Sequence, residues 1–331
     1  MQSFYCTGIT TVLYFCASDL SSKFSKINYV NLESRLKKIK ATENKKNSQR
    51  KISLEEQLIL EKKYIIEIAN FFNKEIVFQN KENIKLKDGD MVTGNLIRYL
   101  LPSLRGQKLY IFPEGTSCLT PFAKKSIFSL IYSFFSNIFK TLFIGRYKVI
   151  KKFLIPDKDK DIELYIKKLK SKNYTILSNK LFYLNISKCA SYFMKKYPDL
   201  NGLNDYQKIV FHPVIENLDK TIYKNWFLSF KKEIKGKKLL IKEHPTFYNN
   251  CEIIFEQFDY FYIPEKYITI PGELIIANLN CEFLGYYTTM LLSFKNKDVK
   301  LITPPDKDIT NFYLREYRGY RTIKKNKIIN E

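Results

Sequence analysis

Histidine is almost missing from this 331-residue chain, which carries only His212 and His244. Any chemistry that needs an imidazole must therefore use one or both of them. The six cysteines, Cys6, Cys16, Cys118, Cys189, Cys251 and Cys281, form no C-x-x-C pair. Their scatter argues against a zinc site and a disulfide framework, and fits a reducing compartment. A bilayer-spanning run is lacking as well, because the apolar stretch Ser126 to Ile144 is crossed by a polar stripe that includes Lys140. Met1 to Ser18 is fairly apolar but has no basic n-region, so it reads as a first strand and helix and not as a signal peptide. No repeat with a period of about 20 to 50 residues is visible, which sets aside solenoids and propellers.

Positive charge is abundant. Lys and Arg number 56 against 33 Asp and Glu, for a formal net charge of +23. Such a balance points to an anionic partner: nucleic acid, a nucleotide-sugar, an acidic glycan or an anionic membrane surface. Lysine far outnumbers arginine, and Asn, Ile, Phe and Tyr are common, so part of the excess reflects composition and not a built site. The length is enough for two domains, each with its own core.

A strand over Ser3 to Thr7, a tight turn at Gly8 and a helix from Ile9 to Ala17 make a Rossmann-like opening. Asn28 to Leu32 reads as the second strand, and the basic run Arg35 to Lys51 as a solvated loop or frayed helix. Ser53 with Glu56 forms a capping box for a helix carrying Leu58, Ile65, Ile68 and Phe72 on one face. A strand over Glu75 to Gln79 follows, and then Asp88-Gly89-Asp90, which superficially matches a D-x-D metal site but reads as a turn. The helix expected over Ser126 to Ile144, flanked by Lys124, Lys125, Arg146 and Lys148, suits a core helix or an interfacial one. Alternating Lys and Asp from Asp157 to Asp161 read as linker. A second α/β pattern then runs through strand Lys208 to Phe211, helix Lys220 to Phe230 and strands Leu239 to Ile241 and Tyr267 to Ile270. A helix after Pro271, strand Glu282 to Gly285, a helix after Thr288 and strand Lys300 to Ile302 complete it. The chain is accordingly divided into residues 1–156, a linker and ambiguous segment over 157–206, and residues 207–331.

Chemistry-bearing residues gather at the carboxyl ends of these strands, where open α/β sheets bind ligands. Glu114 and Gly115 follow the strand expected over Lys108 to Phe112; the carboxylate is a candidate base or an ordinary solvated turn residue. Both histidines follow a strand and precede a proline, a place from which imidazole can meet a phosphate or simply cap a turn. Phe112-Pro113-Glu114-Gly115-Thr116 is similar to the F-P-E-G-T motif of glycerolipid acyltransferases, but those enzymes need an upstream N-H-x-x-x-x-D histidine that this chain lacks.

A wider resemblance begins at Lys108. Glu114-Gly115, Lys242-Glu243-His244-Pro245, Ile270-Pro271-Gly272-Glu273 and Thr288-Thr289 occur in that order. Together they resemble the bacterial sialyltransferases and polysialyltransferases of the GT-B type, marked by a D/E-D/E-G motif, an H-P motif and a late Ser/Thr pair. Pro113 stands at the first acidic position, which leaves Glu114 as the carboxylate.

The resemblance implies an α/β, GT-B-like fold of two Rossmann-like domains facing a central cleft. Residues 1–156 would then bind acceptor and residues 207–331 the nucleotide-sugar. It implies an inverting transfer of sialic acid from CMP-sialic acid to a bacterial surface glycan, capsule or lipooligosaccharide. Glu114 would be the base and His244 the acid or phosphate donor. Lys242, Pro245, Gly272, Glu273, Thr288 and Thr289 would hold the nucleotide, with Gly115 and Thr116 beside the acceptor. Thr288-Thr289 can equally be a helix N-cap, and Glu273 a carboxylate well placed on a helix dipole. A leaving group with one phosphate, met by protein donors, calls for no metal and no cofactor. The expected partners are the CMP-sugar and the glycan acceptor, with peripheral contact to the anionic inner membrane from a cytoplasmic location. Nucleic acid is not expected, since no RNA-binding motif is found. Two alternatives stay open: the same fold with CMP-Kdo or a UDP- or GDP-sugar, and a non-catalytic binder of anionic glycan or nucleic acid.

Overall fold

Two parallel sheets organise the chain. A computed structural model describes residues 3–31, 53–87, 90–93, 108–111, 150–156, 174–179, 181–200, 208–211, 228, 235–242, 259–277, 282–286 and 299–302. The first sheet contains β1 (Phe4–Cys6), β2 (Lys26–Asn31), β3 (Glu75–Asn80), β4 (Met91–Thr93), β5 (Lys108–Ile111), β6 (Ile150–Pro156) and β7 (Tyr174–Asn179), in the order β3-β2-β1-β4-β5-β6-β7. The second contains β8 (Lys208–Phe211), β9 (Leu239–Lys242), β10 (Tyr260–Tyr262), β11 (Glu282–Tyr286) and β12 (Val299–Ile302), in the order β10-β9-β8-β11-β12. Every pairing in both is parallel.

Both orders are doubly wound. The chain starts on an inner strand, runs outward to one edge, and returns to continue on the other side of its starting strand. The reversal falls between β1 and β4 in the first sheet and between β8 and β11 in the second. Two Rossmann-like units in one α/β chain are the architecture expected from the sequence. By compactness, the described parts of residues 1–32 and 68–185 make one unit, and those of 33–67 and 186–314 the other.

In the first unit α1 (Ile9–Ala17) is buried on nearly every side, with only Thr10 half-buried. A helix without a polar face must be covered all round. The Phe4 ring stacks on Phe15 at 3.6 Å, Phe24 closes on both, and Tyr14 meets Phe182 edge-on. The helix stops at Ser18, whose hydroxyl and N–H both donate to the Phe15 carbonyl. The Lys74 ammonium donates to the carbonyls of Ser21 and Phe24 at 2.7 Å each, the first of which also accepts Phe24 N–H at 3.1 Å.

α2 (Leu54–Phe71) begins with the reciprocal box expected of Ser53 and Glu56. Ser53 N–H donates to Glu56 Oε2 at 2.7 Å, and Glu56 N–H to Ser53 Oγ at 3.1 Å. It ends in a Schellman turn, with Asn73 left-handed (φ 54°), Lys74 N–H on the Ala69 carbonyl and Asn73 N–H on that of Asn70.

The stretch read as linker and ambiguous, 157–206, contributes β7 to the first sheet and a helix, α3 (Phe182–Lys196). Phe182, Ile186, Cys189, Ala190 and Phe193 recur at helical spacing and are buried along one face. Tyr267 to Ile270 is not a strand. Glu265–Tyr267 is a 3-10 turn after Pro264, and its N–H groups bond locally, Tyr267 to Pro264 and Ile268 to Glu265. The ladder beside β9 is taken by Tyr260–Tyr262. Tyr267 to Pro271 are all buried, as inner strand residues also are, so it is the local bonding and not the burial that marks the turn. Arg35 to Lys51, Asp88-Gly89, Ser126 to Ile144, Asp157 to Asp161, the helix after Thr288 and, apart from residue 228, the helix Lys220 to Phe230 lie outside the described residues. Among the described residues no helix is long and apolar enough to cross a membrane.

Candidate functional site

The carboxyl end of β9 is where the described structure comes nearest to the expected chemistry. Leu239, Leu240 and Ile241 are fully buried, as an inner strand of a parallel sheet requires. Lys242 follows them into the interior at 5% exposure, and its ammonium donates to the Ile268 carbonyl at 2.5 Å. Expected as a nucleotide ligand, Lys242 is held by the turn in front of Pro271-Gly272-Glu273. That turn leads into α4 (Gly272–Ile276), where Glu273 is buried at 4% exposure. A carboxylate in a first turn has the favourable side of the helix dipole. Close by in sequence, Thr269 is buried at 2% exposure and its hydroxyl has no hydrogen-bond partner.

A ring of tyrosines, lysines and carboxylates fixes this turn within the second unit. The Tyr64 hydroxyl of α2 donates to the Lys266 carbonyl, the Lys266 ammonium pairs with Asp199 at 2.5 Å, and Tyr267 Oη lies 3.2 Å from the same carboxylate. Tyr197 donates to Glu67 at 2.6 Å, and Lys196 pairs with Glu67 at 3.3 Å. Lys63 stands over the rings of Tyr197 and Tyr64, at 5.1 and 5.5 Å. Burial, with the neighbouring Tyr267 and Glu67, pushes the Tyr64 phenol well above its ordinary range. Burial and the bond to Glu67 do the same to Tyr197. Both stay neutral donors, which suits a structural clasp better than acid-base work.

Asp90, the second acid of the D-x-D look-alike, is also structural. It is buried at 2% exposure and accepts from Ser3 N–H at 2.9 Å and Lys87 N–H at 2.8 Å, so its carboxylate closes a turn, as the sequence reading expected. Among the described residues no three His, Cys, Asp or Glu side chains are grouped for a metal ion.

Of the expected site residues, Lys242, Gly272 and Glu273 are described; Glu114, Gly115, Thr116, His244, Pro245, Thr288 and Thr289 lie outside the described residues. The described strand ends bear on them only through chain order. β5 ends at Ile111, β9 at Lys242 and β11 at Tyr286, each two or three residues before Glu114, His244 and Thr288 respectively. β8 ends at Phe211, directly before His212, and Phe211 pairs with Gly285 of β11 across the point where the second sheet reverses. That pairing gives His212 a topological argument which the sequence alone did not supply. Thr93 and Thr269, buried hydroxyls without partners, were also missed, because nothing in a sequence marks a threonine as unsatisfied.

No protein-family model and no curated protein matches the sequence. Among solved structures, the chain is similar to the GT-B domain of a sialyltransferase from Photobacterium damselae, at 9% identity and a TM-score of 0.46, covering 97% of each chain. It is also similar to UDP-GlcNAc 2-epimerase from Neisseria meningitidis bound to UDP-GlcNAc, at 12% identity and a TM-score of 0.46, covering 100% of this chain and 95% of that one.

Proposed function

We propose that this chain is an inverting glycosyltransferase built of two Rossmann-like domains, transferring sialic acid from CMP-sialic acid to a bacterial surface glycan. One observation carries the reading: in chain order Glu114, His244 and Thr288 come two or three residues after the carboxyl ends of the inner parallel strands β5, β9 and β11, the ends at which doubly wound sheets take their ligands. In this scheme Glu114 deprotonates the acceptor hydroxyl, while His244 and the Thr288-Thr289 pair meet the departing phosphate of CMP. Gly272 and Glu273 face the nucleotide, with Pro245 beside it, and Gly115 and Thr116 face the acceptor. Lys242 belongs to the same nucleotide-binding set, and its ammonium also holds the end of β9 through the Ile268 carbonyl. The basic surface draws in the donor, an acidic acceptor and the anionic inner face of the membrane.

The test is release of CMP from CMP-sialic acid by purified protein, with CMP-Kdo, a UDP-sugar and a GDP-sugar as competing donors. Glu114→Gln is expected to lower the rate about 100- to 10,000-fold, as loss of a general base does. His244→Ala and His212→Ala, run side by side, assign the phosphate contact to one histidine. Absence of turnover with every donor, together with salt-sensitive binding of anionic polymers untouched by these substitutions, would replace the enzyme with a non-catalytic binder.

A further inference from the structure

From the way the turn before Pro271 is anchored, we infer that Tyr64 of α2 is a positioning residue for the nucleotide site. Its hydroxyl, 202 residues away in sequence, holds the turn that delivers Gly272 and Glu273. Tyr64 acts only through those two residues, so this inference rests on the nucleotide role proposed for them.

The hydrogen bonds of the turn show what it takes from outside. Tyr267 N–H donates to the Pro264 carbonyl at 2.8 Å, Ile268 N–H to that of Glu265 at 3.0 Å and Ile270 N–H to that of Tyr267 at 3.1 Å. The carbonyls that alternate with these receive side chains of other elements. Lys266 accepts from the Tyr64 hydroxyl of α2, and Ile268 from the Lys242 ammonium of β9 at 2.5 Å. The carbonyls from Pro264 to Ile268 are thereby all met, as buried backbone requires. Tyr267, Ile268, Thr269 and Ile270 are buried in succession, and Pro271, Gly272 and Glu273 follow directly.

Tyr64 is itself locked in place. It is 1% exposed, its ring meets Tyr197 edge-on at 5.8 Å, and Tyr197 meets Tyr267 at 5.5 Å, so three rings link α2 to the turn within the second unit. A site group is well placed only when the residues behind it are held by their own packing. Tyr197 supplies a control of the same chemistry, since its hydroxyl donates to Glu67 of α2 at 2.6 Å.

Without the Tyr64 hydroxyl, the free turn is released from one of its two outside donors. Binding must then re-form it, and affinity falls by the fraction of molecules in which it is already formed. The worth of the bond bounds that fall at about three- to tenfold. Once nucleotide is bound the turn is back in place, so the chemical step is unaffected.

The experiment titrates CMP, UMP and GMP calorimetrically into the full chain as wild type, Tyr64→Phe and Tyr197→Phe. Both variants keep the ring and delete one hydroxyl, so both should fold with similarly lowered urea midpoints. Tyr64→Phe is expected to weaken the preferred nucleotide about three- to tenfold, and to raise KM for its sugar derivative by the same factor at unchanged kcat. Tyr197→Phe should stay within about twofold of wild type in both. Amide exchange over residues 265–270 should quicken in Tyr64→Phe and slow again at saturating nucleotide. Equal weakening in the two variants would reduce Tyr64 to a contributor to the stability of its unit and overturn the inference, as would unchanged affinity in Tyr64→Phe; either result leaves the proposed function standing. Wild type that binds none of the three nucleotides overturns the proposed function and the inference with it.

Discussion

At the end of β1 the chain turns on Gly8, a residue with no side chain, at φ 87°. At the end of β9 it uses a long charged side chain, and the Lys242 ammonium is spent on a carbonyl 26 residues further along. Both sheets reverse in the same sense, so topology does not decide which kind of group a strand end offers. The glycine end shapes its turn through backbone alone, with Gly8 N–H on Tyr29 Oη at 3.2 Å; the lysine end is the more basic in sequence and sets its charge on an internal carbonyl. A count of positive residues near a strand end therefore says little about anion binding until the partner of each charge is known. Substitutions at the two ends should separate these cases, and Cys16 in the first unit and Cys189 in the second, exposed at 1% and 0%, offer thiol probes of local opening.

The largest effect is expected from Lys242→Met, which keeps the apolar stem and deletes the ammonium. The Ile268 carbonyl is then left without that donor in a buried turn, at a cost of about 2–3 kcal/mol. The urea midpoint should fall, and thiol labelling should accelerate more at Cys189 than at Cys16. An unchanged midpoint would mean that Lys242 is not the clamp of β9.

Gly8→Ala is expected to cost about 1–2 kcal/mol, because it forces a side-chain-bearing residue into a positive-φ turn. The cost is conformational: an added Cβ would meet only Thr11 Oγ1, at an ordinary 3.6 Å. Burial pushes the Cys16 thiol up to about 12, opposed by Lys74, so native Cys16 reacts only through opening, and Gly8→Ala should raise that rate more than the rate at Cys189. Since the folded value lies above the ordinary one, this contribution to stability is full below about pH 9 and is lost as pH rises toward the folded value. Equal acceleration at both thiols would show that the glycine end is not local to its unit.

These two residues also show how much could be read from the chain alone. Gly8 was legible, because a glycine between an apolar strand pattern and a helical one has few other uses. The capping box of Ser53 and Glu56 was legible for the same reason: its partners lie three residues apart and their bonds are local. The bond from Lys242 to the Ile268 carbonyl was not legible, because its partner lies 26 residues away and nothing in the sequence marks it. Tyr267 to Ile270 was misread as a strand because an apolar run in a buried turn has the composition of an inner strand. β4 was missed for being three residues long, whereas α3 had a clear period and was passed over for its setting among charged residues. Glu114, His244 and the threonine pair lie outside the described residues and are joined to the fold by chain order.

Ser53→Ala should cost about 1 kcal/mol through the lost cap on α2. This change lies on the surface of the second unit, so its effect on Cys189 labelling should be smaller than that of Lys242→Met. If it proves larger, the clasp around the 265–270 turn is secondary to the stability of α2 itself.

The smallest effect is expected at Asp199, and it tests whether the outer half of that clasp matters. The Lys266 ammonium, with the Tyr267 hydroxyl, holds the Asp199 carboxyl below its ordinary range. A carboxyl depressed in the folded state adds stability above its unfolded value, near about pH 4, and loses it as pH falls through the folded one. The pair is solvent-exposed at 56% on both sides, so screening leaves little of the attraction. Asp199→Asn should lower the urea midpoint slightly at pH 6 in low salt, with the gap from wild type closing both at high salt and in acid below the folded value. A gap of the same size under all three conditions would mean that the Asn side chain disturbs packing around Tyr267, and that the ion pair contributes nothing to holding the turn on which Lys242 depends.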